Sequence, residues 1–226
     1  MSDPILTPDA PVNIAIVGTS GSGKSSSLEK LDPSITGIIN IESKPLPFRG
    51  AGKFKQKYPK TVNEIDQALD QFLVDPQIKI IVFESFTFYT PLLLPLAKSI
   101  GMKGYDIRNF YNERIASLLK KFNSAKNKHI IMTAIDDTIK MMSPGGEEAD
   151  QRKIAVEGTH KGKIESYFTV VLYTTVRANK TTGVAEYFFQ TNADGMITAK
   201  SPKGMFPPLI PNDCDLVIKK MQEYYK

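Results

Sequence analysis

From Asn13 the chain runs NIAIV, four apolar residues behind one polar one, and then breaks into glycine, serine and threonine before Leu28 and Leu31 resume three positions apart. Strand, loop and helix are predicted in that order. Apolar runs recur at Ile35–Ile41, Ile78–Phe83, His129–Ala134 and Thr169–Val176, and each reads as a strand. Helical patterns fall between them, at about 60–74, 91–100 and 106–126. Alternation of this kind predicts an α/β fold whose mostly parallel sheet carries helices on both faces. AEYFFQTNA and GMITAKSPKGMFPPLIPND then add a β-rich C-terminal part, and a last amphipathic helix is expected from Asp213 to Tyr225. The 226 residues suit one domain, expected over 12–226 behind a flexible N-terminal segment of residues 1–11.

A parallel sheet holds its ligands at the carboxyl ends of its strands. Past the first run stands Gly18-Thr19-Ser20-Gly21-Ser22-Gly23-Lys24-Ser25, which matches GxxxxGK[ST] at every fixed position and is followed by Ser26. Glycines let such a loop wrap closely, so that backbone N–H groups and the start of the predicted helix converge on an anion. Lys24 would reach the outer phosphates of a bound nucleotide, and the Ser25 hydroxyl would coordinate Mg2+. A flexible Gly/Ser linker would not sit between an apolar strand and a Lys-Ser pair opening a helix.

The next strand ends carry acids. Glu42 follows the second run, in GIINIESKPLPF, and Glu84 the third, in IKIIVFESFTF. A carboxylate beside bound phosphates can hold the metal shell or polarise a water, and it can equally cap a following turn. For Glu84 the functional reading is preferred, as metal ligand and catalytic group; for Glu42 the residues leave both open.

Charge changes the picture modestly. A net charge of +5 permits an anionic partner without requiring one, and only five of the 29 basic residues are Arg, so lysines would meet most phosphates. RGAGKFKQKYPK interleaves Arg49, Lys53, Lys55 and Lys57 with Phe54 and Tyr58, a composition suited to single-stranded nucleic acid and more often found in an exposed loop. The stretch 141–163 is long, charged and glycine-containing, and predicts a functional or solvated loop that carries His160, Lys161 and Lys163. One cysteine, Cys214, and two histidines leave too few ligands for structural zinc. No apolar run is long enough to cross a bilayer, so a cytoplasmic protein without membrane contact is expected.

Together the phosphate loop, NIESKPLP, VFES, EGTHKGKIESYFTVVLYT and TAKSPKGMFPPLIPND resemble the phage RecA-like ATP-binding proteins. These are often called AAA-domain ATPases and include minimal RecA-type single-strand annealing proteins. The resemblance spans about residues 12–224, and its C-terminal KSP.GMF pattern is more restrictive than its phosphate loop. It implies a RecA-like P-loop NTPase core and places Glu42 where that core carries its water-activating glutamate. The core's Asp-Ser pair reads Glu84-Ser85 here, one methylene longer, which implies slow hydrolysis. At the next strand end the usual polar phosphate sensor is missing, and Thr133 or Asp136 is a weak substitute. Lys161 and Lys163 stand where RecA filaments carry lysines that act across a subunit interface, implying a homo-oligomer. Single-stranded DNA, and a single-strand-binding protein beside it, are the implied partners.

The implied function is DNA-stimulated ATP hydrolysis in annealing or strand exchange. A nucleotide-binding module of a phage assembly with little hydrolysis is the alternative that the Glu84 departure favours. A small-molecule kinase would need an arginine-rich lid, and 141–163 holds only Arg152. A guanine reader would need Asn-Lys-x-Asp at a strand end; Asn127-Lys128 precedes its strand and lacks the acid.

Overall fold

The computed structural model describes residues 12–125, 127–142 and 148–225, so the segment 1–11 expected to be flexible lies outside the described residues. Its centre is an eight-stranded sheet. In chain order the strands are β1 (Asn13–Val17), β2 (Thr36–Asn40), β3 (Lys55–Lys57), β4 (Ile80–Glu84), β5 (His129–Ala134), β8 (Val170–Ala178), β9 (Ala185–Gln190) and β10 (Leu209–Pro211). Between β5 and β8, β6 (Asp136–Met142) and β7 (Glu148–Ile154) pair with each other as a separate antiparallel ribbon. The sheet order is β10-β9-β8-β1-β5-β4-β2-β3, parallel from β8 to β3 and antiparallel at β9 and β10.

The helices are α1 (Val62–Val74), α2 (Phe86–Tyr89), α3 (Leu93–Ser99), α4 (Tyr105–Asn123) and α5 (Cys214–Tyr224). Because successive side chains of a strand point to opposite faces, the apolar runs feed two cores at once. Ala15, Val17, Ile39, Ile81, Phe83, Ile130 and Met132 pack on one face with Ile65, Leu69 and Phe72 of α1 and Ile115, Leu119 and Phe122 of α4. On the other face Ile14, Ile16, Ile38, Val82, Ile131 and Leu172 meet Leu28, Leu31, Phe54 and Val217, Ile218 and Met221 of α5. Gly37 of β2 lets α1 approach, since a Cβ there would fall 2.9 Å from the Phe72 ring. Thr61 caps α1 by accepting from the Glu64 N–H at 3.2 Å, while Glu64 accepts from the Lys60 N–H.

Three expectations change. The helix predicted after the glycine loop is a single 3-10 turn, Ser26–Leu28. Three consecutive serines are poor helix formers, and the Ser27 hydroxyl donates to the Lys24 carbonyl at 2.5 Å instead of leaving it to a helical ladder. In the stretch 141–163 expected as a loop, residues 143–147 lie outside the described residues, Met141 and Met142 end β6, Glu148–Ile154 forms β7, and 3-10 turns follow at Gly158–His160 and Ile164–Tyr167. The first of these turns is anchored on α4, where Asn112 accepts from the Thr159 N–H through Oδ1 at 3.0 Å and meets His160 Nε2 through its carbonyl at 2.9 Å. The basic stretch from Arg49 to Lys57 is also no free loop, because Lys55–Lys57 forms an edge strand beside β2.

Burial settles Cys214: it is 1% exposed, contacts Ser27 Oγ at 3.1 Å, and its thiol is pushed up to about 12. Among the described residues no helix is long and apolar enough to cross a membrane.

Candidate functional site

The glycine-rich loop leaves β1 at the middle of the sheet, between β5 and β8. Gly18 has no room for a side chain, since a Cβ would lie 1.9 Å from Thr174 Oγ1 on β8. Its N–H donates to the Ala134 carbonyl at 3.2 Å, and Ser22 Oγ meets Thr174 Oγ1 at 2.5 Å. Gly21 and Gly23 take φ of 76° and 99°, which favours glycine, and a Cβ on Gly23 would fall 2.7 Å from the Tyr187 ring. Lys24 Nζ folds back to donate to the Gly18 and Thr19 carbonyls, at 2.8 and 2.7 Å. Burial holds this ammonium below its ordinary pKa, against the pull of Glu84, Asp136 and Glu42.

Glu84 ends β4 and is 3% exposed. Ser25 Oγ donates to its Oε1 at 2.7 Å and Thr133 Oγ1, on β5, donates to its Oε2 at 2.6 Å. Burial raises its pKa despite both hydroxyls and Lys24. The Glu84–Ser85 peptide is cis. Thr133 is thus occupied at the foot of the site and not free to sense a phosphate. Asp136 Oδ2 is held by Arg152 Nε at 2.5 Å, with Arg152 over the Tyr173 ring.

Glu42 lies two residues beyond β2, in a turn fastened by Asn40, whose Oδ1 accepts from the Ser43 N–H at 2.9 Å and whose Nδ2 donates to the Lys44 carbonyl at 2.8 Å. Lys44 Nζ donates to Glu42 Oε1 at 2.5 Å. Ser20, Gly21, Gly23, Lys24, Ser25, Ser26, Glu42 and Glu84 line one cavity of about 480 Å³ together with Lys44, Pro47, Ser85, Phe88, Ile135 and Tyr187. Gly18 and Ser22 are buried and Thr19 is exposed, and none of the three lines the cavity. Lys44, Phe88 and Tyr187 escaped the sequence reading. Lys44 had a signal, standing two positions after Glu42; Tyr187 had none, because the β8–β9 hairpin brings it back from a distant stretch of chain.

The remaining predicted residues lie elsewhere. Lys161 and Lys163 are exposed and do not line the cavity. Arg49 and Lys53 are exposed, and Lys57 is half-buried. Lys55 is paired with Asp75 at 2.5 Å. Phe54, expected as a stacking ring for bases, is instead buried in the core and edge-to-face against Phe48. Tyr58 remains 49% exposed, its hydroxyl donating to Gln56 Oε1.

Chemically, the cavity offers two lysines, two carboxylates and serine hydroxyls around a glycine loop. Magnesium is held by one or two carboxylates plus phosphate oxygens and waters. Ser25 and Glu84 supply hard oxygens of that kind, and no group of three or more His, Cys, Asp or Glu side chains gathers as a metal site among the described residues. The donor set therefore fits a metal that shares its shell with bound phosphates.

No individual curated protein matches the chain closely. A family model described as an AAA domain matches residues 10–203, which takes in the glycine loop, both acidic strand ends and the parallel sheet. With that match over most of its length, on an α/β sheet with this loop at its centre, the chain belongs to the AAA-domain family of P-loop nucleoside triphosphatases.

Proposed function

We propose that this chain is a RecA-like ATPase of phage DNA recombination or repair, which binds single-stranded DNA and promotes annealing or strand exchange as a head-to-tail homo-oligomer. The observation that carries the ATPase part is the convergence of Lys24, Ser25, Glu42 and Glu84 on one cavity of about 480 Å³. That volume lies within the range of nucleotide-sized sites, roughly 300–1,000 Å³. The DNA part rests on the resemblance, the net charge of +5 and the exposed Arg49 and Lys53. On this reading residues 12–226 act as one RecA-like unit in the host cytoplasm, with a single-strand-binding protein as a further partner.

In the proposed reaction the glycine loop and Lys24 orient the triphosphate, exchanging the Gly18 and Thr19 carbonyls for phosphate oxygens. Ser25 and Glu84 are the residues that would hold Mg2+, whose chemistry is to offset charge on the transferring phosphoryl group. Glu42 orients the attacking water and accepts its proton. Lys161 and Lys163, exposed and outside the cavity, complete the site of a neighbouring subunit.

A second reading, a nucleotide-binding module with little hydrolysis, is favoured by Glu84 in place of the usual Asp and by the Lys44 ammonium on Glu42. The kinase reading loses its arginine, since Arg152 is bound to Asp136. Hydrolysis assays with and without single-stranded DNA, beside sedimentation with a slowly hydrolysed ATP analogue, test the proposal. Turnover stimulated by DNA, with larger species formed only when DNA and analogue are both present and lost at high salt, is expected. Turnover and size indifferent to DNA would remove the DNA role; tight binding without turnover would leave the module reading.

A further inference from the structure

Among the described residues, the cations lining the cavity are Lys24 and Lys44, and the anions are Glu42 and Glu84. Lys24 is tied into the loop by two carbonyls. Lys44 is held otherwise: its side chain is 72% exposed, it bonds Glu42 Oε1 at 2.5 Å, and its Nζ lies 5.9 Å from the centre of the Phe88 ring. The turn that carries it is rigid. Both polar atoms of the buried Asn40 side chain clamp Ser43 and Lys44, with Ser43 at φ 58°, so Glu42 and Lys44 are set on the same cavity wall. The ammonium thus occupies one of the two oxygens that Glu42 could offer to a water.

We infer that Lys44 is a catalytic residue that senses the γ-phosphate: it leaves Glu42 for the terminal phosphoryl oxygens when a triphosphate binds, and so frees Glu42 only when there is a γ-phosphate to attack. This rests on the ATPase reading above. An exposed ion pair contributes little, so giving up the Glu42 contact costs little, whereas a γ-phosphate presents several charged oxygens to the same ammonium. The Phe88 ring, its centre 5.9 Å from Nζ before the exchange, lines the same cavity. In the step that follows, the water oxygen forms a bond to the γ-phosphorus and the bond from that phosphorus to the β–γ bridging oxygen breaks. ADP leaves with the bonding electrons, inorganic phosphate is formed, and the water's proton passes to the Glu42 carboxylate. Lys44 transfers no proton; its charge offsets that on the phosphoryl oxygens. ADP, without a γ-phosphate, leaves Lys44 on Glu42.

The test compares wild type, K44A, K44R and K24A as full chains, titrated calorimetrically with Mg-ATPγS and with Mg-ADP, beside steady-state ATP hydrolysis. K44A is expected to lose about tenfold in ATPγS affinity and at least about tenfold in kcat, the scale of one charge-assisted hydrogen bond, with ADP affinity within about twofold of wild type. K44R is expected to recover most of both losses, and K24A to lose both nucleotides. If K44A weakens ATPγS and ADP equally, weakens neither, or raises kcat by simply freeing Glu42, the inference is overturned. Wild type that binds neither nucleotide overturns the ATPase reading itself, an outcome distinguishable from the others because K44A is then irrelevant to it.

Discussion

At the scale of single residues, Glu84 carries the sharpest conflict in the molecule. Its carboxylate is buried, yet it is also the acid nearest the phosphate loop, with Ser25 and Thr133 spending their hydroxyl hydrogens on it. Burial raises its pKa, so over the pH range between the ordinary carboxylate value and the raised one the folded chain holds a proton that the unfolded chain has released. The stability of the nucleotide-free protein therefore falls as pH rises through that range. Glu84→Gln removes the buried charge and keeps the shape. It is expected to raise the thermal midpoint of the nucleotide-free protein at pH 7 by a few degrees, about 1 kcal/mol, with the gain vanishing near pH 4. The same variant is expected to lose magnesium-dependent turnover, a pairing of greater stability with lower activity that thermal melts and hydrolysis assays check together.

At the scale of elements, the phosphate loop is held by its neighbours rather than by a following helix. The one 3-10 turn after Ser25 is too short to carry a macrodipole of consequence. Shape comes from β8 instead, where Thr174 Oγ1 contacts Ser22 and donates to the Val17 carbonyl at 3.2 Å. Gly18→Ala would drive a methyl group into that hydroxyl, and we expect a loss of roughly 1–3 kcal/mol in urea denaturation together with weaker nucleotide binding. Adding Thr174→Ala removes the clashing oxygen, so the double variant is expected to be more stable than the sum of the two changes implies, a non-additivity that a double-mutant cycle reads directly. A loop shaped only by its own glycines would give additive effects.

At the scale of the whole molecule, the exposed Lys161 and Lys163 stand outside the cavity while the cavity itself contains no arginine among the described residues. On the proposed head-to-tail assembly, Lys161 and Lys163 of a second copy would add positive charge to the site. K24A and the double variant K161A/K163A are each expected to hydrolyse ATP poorly alone. Mixed together they are expected to recover turnover, because some interfaces then join an intact loop to intact lysines. Mixtures no more active than their components would place the two lysines outside any shared site. Linkage follows in the favourable case: nucleotide binding strengthens assembly as much as assembly strengthens nucleotide binding.

Much of this was legible because β1, β2, β4, β5 and β8 are buried on both faces and so announce themselves as apolar runs, and because a phosphate loop needs glycines at fixed spacing whatever its surroundings. The fold class and the positions of Lys24, Ser25 and Glu84 follow from those two local requirements. β3 was not legible, since KQK has the composition of a loop and becomes a strand only through the backbone of β2. The β6–β7 ribbon was hidden likewise, its strands being largely exposed and its identity residing in the pairing of Asp136 through Met142 with Glu148 through Ile154. The sequence by itself determined the buried strand runs and the anion-binding loop, because each depends on neighbours along the chain. Only the tertiary structure decided that Lys44, Phe88 and Tyr187 share a cavity with that loop, that Phe54 faces the core, and that Thr133 serves Glu84, because those contacts join residues that no local spacing relates.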